Sequence, residues 1–215
     1  MIQMMMEIMT TTSMPKNNLS LVITAAGSST RMGGQIKKEY LQMESGTVLS
    51  TGLKKFLKSA YFSQIVITTP VGGILNAEKA VMTDSEIQEI INEKKCGTID
   101  FIEGGATRQS SIFNALELIK KRNPDTDYVA IHDGARPFVS SELILRTLNK
   151  AFECGAACPG LEPKETQVQT TPSGKIVSHL KRSQLKSVQT PQIFLFKKIF
   201  DSHQKASVDG CSYTD

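Results

Sequence analysis

Short β-branched apolar runs alternate with segments of helical periodicity, and this alternation most constrains how the chain can fold. Four runs predict buried strands, at 19–24, 64–69, 99–103 and 127–132. Strands that alternate with helices of about 10–15 residues favour right-handed βαβ crossovers. We therefore expect an α/β fold with a mostly parallel sheet and helices on both of its faces.

Four helices are predicted from apolar residues that recur every three or four positions. The pattern places them at 47–60, at 84–94, from about Arg108 onward, and after a cap at Ser140 or Ser141. After Pro191 no further helix is expected, so the chain is predicted to end without a closing helix.

The alternation breaks between residues 159 and 190, where Thr, Ser, Gln, Pro and Lys dominate. This composition lacks an apolar helical stripe and contains the turn sequence Pro172-Ser173-Gly174. We expect an extended β-arm at about 160–186, built as a hairpin around that turn. Residues 19–215 then form one domain, and residues 1–18, which hold six of the nine methionines, are expected to be a disordered leader.

Composition excludes several classes of protein. The 25 basic and 21 acidic residues give a net charge of +4, too small for a nucleic-acid coat but suited to a local anion site. No stretch has the length and apolar character of a membrane span. The four cysteines show no metal-binding spacing, so we expect reduced thiols in a cytoplasmic protein.

Ligands of open parallel sheets bind beyond the carboxyl ends of the strands, so the loops at those ends are the candidate sites. The loop after the first strand carries Gly27, followed by Arg31 and Lys38. Backbone amides and two cations there suit a triphosphate. The alternative is a plain turn with two solvated cations. Ser29 breaks the dinucleotide-binding glycine pattern, which disfavours a nicotinamide dehydrogenase.

The loop after the third strand begins with Gly104-Gly105 and leads into Ser110 and Ser111. Glycines followed by hydroxyls suit recognition of a nucleotide's base or sugar. The alternative is a helix that is simply capped by Thr107.

The loop after the fourth strand reads His132-Asp133-Gly134-Ala135-Arg136. A carboxylate at a strand end is a natural ligand for Mg²⁺, which takes few carboxylates together with phosphate oxygens and water. Arg136 suits a substrate phosphate. The alternatives are a structural Asp133–Arg136 pair and, for His132, a packed residue at the strand end.

Several segments together resemble the 2-C-methyl-D-erythritol 4-phosphate cytidylyltransferase family. They occur in family order between Leu19 and Asp215: AAGSSTRMGG…KKEYL, EGGATRQSS, IHDGARPF, KRSQLKSVQTPQ and YTD. The resemblance implies a Rossmann-like domain whose projecting β-arm forms a homodimer. It implies a reaction of CTP with a sugar-alcohol phosphate, methylerythritol phosphate, to give the cytidine diphosphate sugar alcohol and pyrophosphate in non-mevalonate isoprenoid biosynthesis.

The resemblance also implies roles for individual residues. Arg31 and Lys38 are expected to stabilise the transition state, and Asp133 to bind Mg²⁺. Thr166 and Arg182 are expected to reach the partner subunit's site and bind the sugar phosphate, and Arg136 is expected to contact the substrate. The expected cradle for the cytidine and its phosphates consists of Ala25, Ala26, Gly27, Gly105, Ser110 and Ser111.

The chain departs from the family pattern in three places. Lys37 stands where the family usually has proline, and the arm reads 161–166 Leu-Glu-Pro-Lys-Glu-Thr where a shorter Asp-Thr-Ile-Lys is usual. The family also continues past the point that matches Asp215, with a phosphate-binding lysine, so either this sequence is a truncated form or that contact is lost. Alternative functions are a ribitol 5-phosphate cytidylyltransferase and a non-catalytic nucleotide-binding relative.

Overall fold

The computed structural model describes residues 17–27 and 37–213. The predicted leader therefore lies outside the described residues, except for Asn17 and Asn18. Most strands belong to the core sheet or to the arm. In chain order they are β1 (Leu19–Thr24), β2 (Gln42–Met43), β3 (Gly46–Thr47), β4 (Gln64–Thr69), β5 (Thr98–Glu103), β6 (Tyr128–Asp133), β7 (Ala156–Ala157), β8 (Gly160–Leu161), β9 (Val168–Thr170), β10 (Ile176–His179), β11 (Ser187–Val188) and β12 (Gln192–Leu195).

The central sheet has six strands in the order β5-β4-β1-β6-β12-β7. Strands β5, β4, β1 and β6 are parallel, and Val22 of β1 lies opposite Val66 of β4 and Ile131 of β6. Strand β12 is antiparallel to both β6 and β7. The chain leaves β1 toward β4 on one side and later returns to β6 on the other, so the switch point of the sheet lies between β1 and β6.

The sequence predicted four of the helices in the described residues within a few positions. These are α1 (Val48–Ser59), α3 (Ser85–Asn92), α4 (Arg108–Arg122) and α5 (Ser141–Cys154). Two more helices were not predicted, α2 (Ile74–Met82) and α6 (Phe196–Val208). Short 3₁₀ turns occur at Lys38–Tyr40 and Arg182–Gln184.

Helices cover both faces of the sheet, as expected for a Rossmann-like α/β fold. Alternate residues of β1 divide between two cores: Leu21 and Ile23 face one, and Val22 faces the other. Helices α1, α2, α3 and α5 contribute to the first core, and α4 and α6 to the second. Because β1 is buried on both faces, it reads as a continuous apolar run rather than an alternating one.

The expectation of a chain without a closing helix is wrong. Helix α6 follows β12 and buries Phe196 and Phe200 against α4, which covers the second face of the sheet. Helix α2 was missed because its buried face consists mainly of small residues, Ala77 and Ala80 beside Val81, and because it follows the turn sequence Pro-Val-Gly-Gly at 70–73. Small side chains give a weak periodic signal even when they are fully buried.

The arm lies between β7 and β12. Its tip is the predicted hairpin, in which β9 pairs with β10 and Gly174 adopts a positive φ of 83° in the turn. Its base is a second antiparallel pair, β8 with β11. Large apolar side chains of the arm are exposed, including Leu161 at 62% and Val177 at 60%.

A buried ion pair joins α1 to α3. Lys54 Nζ lies 2.9 Å from Asp84 Oδ2, and both side chains are less than a tenth exposed. Ser50 Oγ donates to the same oxygen at 2.8 Å. Burial opposes ionisation of Asp84, but the bonds from Lys54 and Ser50 outweigh it and lower its pKa. This contribution to stability is present above the unfolded pKa of about 3.9 and is lost as the pH falls below it.

We predict that Lys54→Met lowers the free energy of unfolding by about 3 kcal/mol, because it leaves the Asp84 carboxylate buried without its cation. The matched control is Lys58→Met, four residues along the same helix. Lys58 pairs with Glu86 at the surface, half exposed, and its loss is expected to cost less than about 1 kcal/mol. Chemical denaturation of both variants measures the difference, and equal losses would contradict the buried-pair assignment.

Candidate active site at the sheet switch point

Three loops meet at the carboxyl ends of the parallel strands. The backbone of each loop continues hydrogen bonding one residue beyond its strand. Ala25 N donates to Thr68 O at 3.0 Å, Gly104 N to Thr69 O at 2.7 Å, and Gly134 N to Thr24 O at 2.9 Å. The sheet therefore brings together the three segments that the sequence singled out separately.

A glycine allows two of these loops to touch. A Cβ on Gly104 would lie 2.5 Å from the Ala26 Cβ and 2.6 Å from the Ser111 Oγ. These distances are too short for carbon contacts, so only glycine fits between the first loop and helix α4. Ala26 and Ser111, both predicted site residues, lie side by side for this reason.

The hydroxyls at the start of α4 bind the loop itself. Thr107 and Ser110 form a capping box, in which each side chain accepts from the other residue's backbone N–H. Ser111 Oγ accepts from Gly105 N at 3.0 Å and donates to Thr107 O at 2.8 Å. Thr107 caps the helix, and these bonds fix the shape of the Gly105 loop.

Asp133 lies at the end of β6 between two guanidinium groups. Arg108 Nη2 is 3.1 Å from Oδ1, and Arg136 Nε is 2.9 Å from Oδ2. Thr24 Oγ1 also donates to Oδ1 at 3.3 Å. Burial alone would raise the pKa of Asp133, but the two arginines outweigh it and lower the pKa, so the carboxylate is ionised at neutral pH.

Arg136 is exposed and faces a large open cavity. The cavity has a volume of about 1410 Å³, and its wall includes Arg136, Ser140, Gly160 and Gln189. The Arg136 guanidinium also donates through Nη1 to the side-chain carbonyl of Gln189. A cation at the wall of an open cavity, already paired with an amide, suits recognition of an anionic ligand.

Lys37, which stands where proline was expected, contacts the first loop. The Lys37 ammonium donates to the backbone carbonyl of Ala25 and lies 3.7 Å from Glu39. Burial lowers the pKa of Lys37. Lys38 begins the adjacent 3₁₀ turn and is partly exposed. Arg31, the other predicted catalytic cation, lies outside the described residues.

The two predicted arm residues lie apart from this group. Arg182 Nη1 donates to the backbone carbonyl of Lys164 at 2.7 Å, which holds it near Thr166, and both residues are exposed. Neither contributes to the wall of the cavity that Arg136 lines. Among the residues that the structure describes, Asp133 and Arg136 lie at the sheet edge, and Thr166 and Arg182 lie on the arm.

A single carboxylate is enough for the metal that the sequence predicts. In the part of the chain that the structure describes, no three His, Cys, Asp or Glu side chains are placed to hold a metal ion. Mg²⁺ commonly takes one or two carboxylates together with phosphate oxygens and water. Asp133 fits this pattern, provided that one of its guanidinium partners yields its place on the carboxylate.

Sequence reasoning gave no role to Arg108 and Gln189, and it did not find the close contact that Gly104 allows. Arg108 is separated from Asp133 by 25 positions, and Gln189 from Arg136 by 53, so only the strand order shows that they touch. Gly104 was named in the sequence but not placed at a contact. The sequence shows a pair of glycines, Gly104 and Gly105, at the end of a strand. It does not show which of the two lets the first loop approach α4.

The switch point of this α/β sheet carries a glycine-containing loop, the capped start of a helix and a carboxylate between two arginines. This is the architecture of a nucleotide-binding protein.

No helix within residues 17–27 and 37–213 is both long and apolar enough to cross a membrane.

The sequence profile of the 2-C-methyl-D-erythritol 4-phosphate cytidylyltransferase family matches residues 19–215. Enzymes of that name from Clostridium beijerinckii and Petrotoga mobilis are 34% and 32% identical to this chain. The alignments cover 92% and 90% of this chain and 81% and 80% of those enzymes. The chain belongs to this family.

Solved structures agree with the assignment. The cytidylyltransferase of that name from Thermus thermophilus is 28% identical with a TM-score of 0.65, over 92% of this chain and 80% of its own. The 4-diphosphocytidyl-2C-methyl-D-erythritol synthase of Anaerococcus prevotii is 26% identical with a TM-score of 0.70, over 93% and 79%. The Rossmann-like fold predicted from the sequence is confirmed.

We predict that Gly104→Ala lowers the melting temperature and weakens CTP binding, because the added methyl group forces the first loop away from α4. Calorimetry of binding and a thermal scan measure the two effects. The double variant Ala26→Gly/Gly104→Ala removes one of the two contacts and is expected to recover part of the loss. No recovery, or no loss in the single variant, would show that the loops are not in contact.

Proposed function

We propose that the chain transfers the cytidylyl group of CTP to 2-C-methyl-D-erythritol 4-phosphate and releases pyrophosphate, a step of non-mevalonate isoprenoid biosynthesis. The match of residues 19–215 to the cytidylyltransferase family carries this proposal. The position of Asp133 and Arg136 at the switch point supports it, because this edge of the sheet is where the fold binds nucleotides.

Charge neutralisation is the main task of the site, because both substrates are polyanions that repel each other. The sugar phosphate oxygen attacks the α-phosphorus of CTP, and the bond from that phosphorus to the bridging oxygen of the leaving pyrophosphate breaks. Lys38 and Arg31 hold positive charge at the α-phosphate. Arg136 binds the sugar-alcohol phosphate from the cavity side. Positioning and electrostatic stabilisation supply the rate.

The nucleotide cradle is assigned to the first two loops. Ala25, Ala26 and Gly27 offer close backbone approach, and Gly105 with Ser110 and Ser111 faces them across the Gly104 contact. The capping-box bonds hold these groups in place before the nucleotide arrives, which reduces the ordering that binding requires. A Mg²⁺ ion on Asp133 would neutralise phosphate charge when bound.

The arm is proposed to act in a homodimer. Arg182 binds the backbone of Lys164, two positions before Thr166, on the exposed arm. Neither residue lines the cavity of its own subunit, and apolar side chains of the arm such as Leu161 and Leu180 are exposed. A symmetric dimer would cover those side chains and place Arg182 at the partner's sugar phosphate.

The four cysteines, all free thiols, support a cytoplasmic location.

Pyrophosphate release is the direct test of the function. The chain is incubated with CTP and Mg²⁺, and with either methylerythritol phosphate or ribitol 5-phosphate. Release with methylerythritol phosphate alone supports the proposal. Release with ribitol 5-phosphate alone would assign the alternative cytidylyltransferase. No release with either, despite CTP raising the melting temperature, would indicate a nucleotide-binding relative without catalysis.

Removing either cation at the α-phosphate is expected to slow turnover with little change in folding. We predict that Lys38→Ala and Arg31→Ala each lower kcat by ~10²–10³, the loss typical of one transition-state donor. The melting temperature serves as the control for folding. Unchanged turnover in both variants would remove the role assigned to these two residues.

Mixing two inactive variants tests whether Arg182 works across the dimer. If Arg182 serves the partner's site, a mixed dimer of Lys38→Ala with Arg182→Ala has one intact site and one doubly defective site. Equimolar random mixing then restores about a quarter of wild-type activity. Mixtures that stay as inactive as the separate variants would show that Arg182 does not act in the partner's site.

A further inference from the structure

Lys37 connects two parts of the proposed site and has no role in the mechanism above. Its ammonium donates to the backbone carbonyl of Ala25, twelve positions earlier in the chain. Ala25 follows β1 and belongs to the proposed nucleotide cradle, whereas Lys37 directly precedes the proposed catalytic cation Lys38. The bond therefore joins the nucleotide cradle to the segment that carries Lys38.

Neighbouring groups enclose the Lys37 side chain. It is 15% exposed, and its Nζ lies 3.7 Å from Oε2 of Glu39, whose side chain is 4% exposed. The same Nζ lies 5.6 Å from the centroid of the Tyr40 ring, within the range of a cation–π contact. Burial lowers the pKa of Lys37, and the charge of Glu39 opposes that shift. These partners hold the ammonium inside the protein, where a hydrogen bond to a carbonyl is stronger than at an exposed site.

Ala25 is fixed to the sheet independently of Lys37. It is 1% exposed, and its backbone N–H donates to Thr68 O on β4 at 3.0 Å. This bond remains when the Lys37 ammonium is removed. Loss of the ammonium is therefore expected to disturb the nucleotide cradle little.

The segment that carries Lys38 depends on the connection more strongly. Lys38 begins a 3₁₀ turn of three residues, and hydrogen bonds in such turns have poorer geometry than those of an α-helix. Tyr40 N donates to Lys37 O at 2.9 Å, and beyond the turn Val48 N, at the start of α1, donates to Leu41 O at 3.0 Å. The turn is thus held by α1 on one side and by Lys37 on the other.

The backbone of Lys37 has the conformation that a proline would impose. Its φ is −59° and its ψ is 138°. A proline ring fixes φ near about −65°, so the residue that the family usually has here fits this backbone. Such a ring would restrain the start of the 3₁₀ turn. In this chain the bond from the ammonium to Ala25 restrains the same residue.

We propose that Lys37 is a positioning residue that holds Lys38 against the nucleotide cradle through its bond to the Ala25 carbonyl, in place of the restraint that proline gives. The inference rests on the proposed function, in which Lys38 holds positive charge at the α-phosphate. The Lys37 ammonium is engaged by groups of the protein, so it acts through Lys38 and not on the phosphate itself.

The first test uses Lys37→Met, which keeps the length of the side chain and removes the ammonium. We expect kcat to fall ~10-fold, as for one lost hydrogen bond from a charged donor, with the KM for CTP changed less than about threefold. Lys37→Pro also lacks the ammonium but fixes the backbone, and its kcat is expected within about threefold of the wild-type value. Unchanged kcat in Lys37→Met, or a Lys37→Pro variant that is equally slow, would overturn the proposal.

A double variant tests whether Lys37 acts through Lys38. In a Lys38→Ala background no ammonium remains to be positioned, so adding Lys37→Met is expected to lower kcat less than about twofold further. A second fall of ~10-fold would show that the two lysines act independently and would overturn the positioning role.

Lys79→Met is the matched control for the loss of one positive charge. Lys79 is exposed on α2 and lines the same cavity as Lys37 and Tyr40. Its replacement is expected to change kcat less than about twofold, because an exposed charge is screened by solvent. A fall as large as that of Lys37→Met would show that the effect is a general loss of positive charge.

Backbone hydrogen exchange in the ligand-free protein separates this inference from the proposed function. The Tyr40 and Leu41 amides donate to Lys37 O and Lys38 O. We expect their protection factors to fall ~10-fold in Lys37→Met and to stay unchanged in Lys37→Pro and Lys79→Met. Unchanged protection in Lys37→Met would overturn the positioning role. Absence of pyrophosphate release by the wild-type chain would instead count against the proposed function, and the exchange result would still decide how the turn is held.

Discussion

The pairing of β1 with both β4 and β6 is the interaction on which the rest of the structure depends. Parallel strands align their carboxyl ends, so loops that are far apart in sequence open at one edge of the sheet. The bonds that continue each strand by one residue set the distances between those loops. Burial of β1 on both faces supplies much of the core that keeps this pairing intact.

Charge balance at the switch point explains why Asp133 is stable there. A partly buried carboxylate is costly alone, but Arg108 and Arg136 each pair with one of its oxygens. The same arrangement suits a site for polyanions, since the arginines can bind phosphate when a cation shares the carboxylate. Stability of the ligand-free protein and affinity for its substrates therefore draw on the same groups.

Hydrogen bonds that preorganise the loops are the second theme of the site. The Thr107–Ser110 capping box shapes the start of α4, and the His132–Thr190 pair holds the turn between Asp133 and Arg136. In both cases, polar side chains of the kind that bind ligands form hydrogen bonds within the protein itself. Rigid loops of this kind bind with a smaller loss of conformational entropy than mobile ones.

The sequence by itself determined the class of fold, the positions of the parallel strands and the family, because apolar periodicity and ordered motifs are local properties of a chain. It missed α2, whose buried face is mostly alanine, and α6. Only the tertiary structure decided that Arg108 and Arg136 share Asp133, that Gly104 lets two loops touch, and that His132 meets Thr190. His132 and Thr190 are 58 positions apart, and Gly104 and Ala26 are further apart still. The geometry of such contacts follows from strand order and register, which no local pattern encodes.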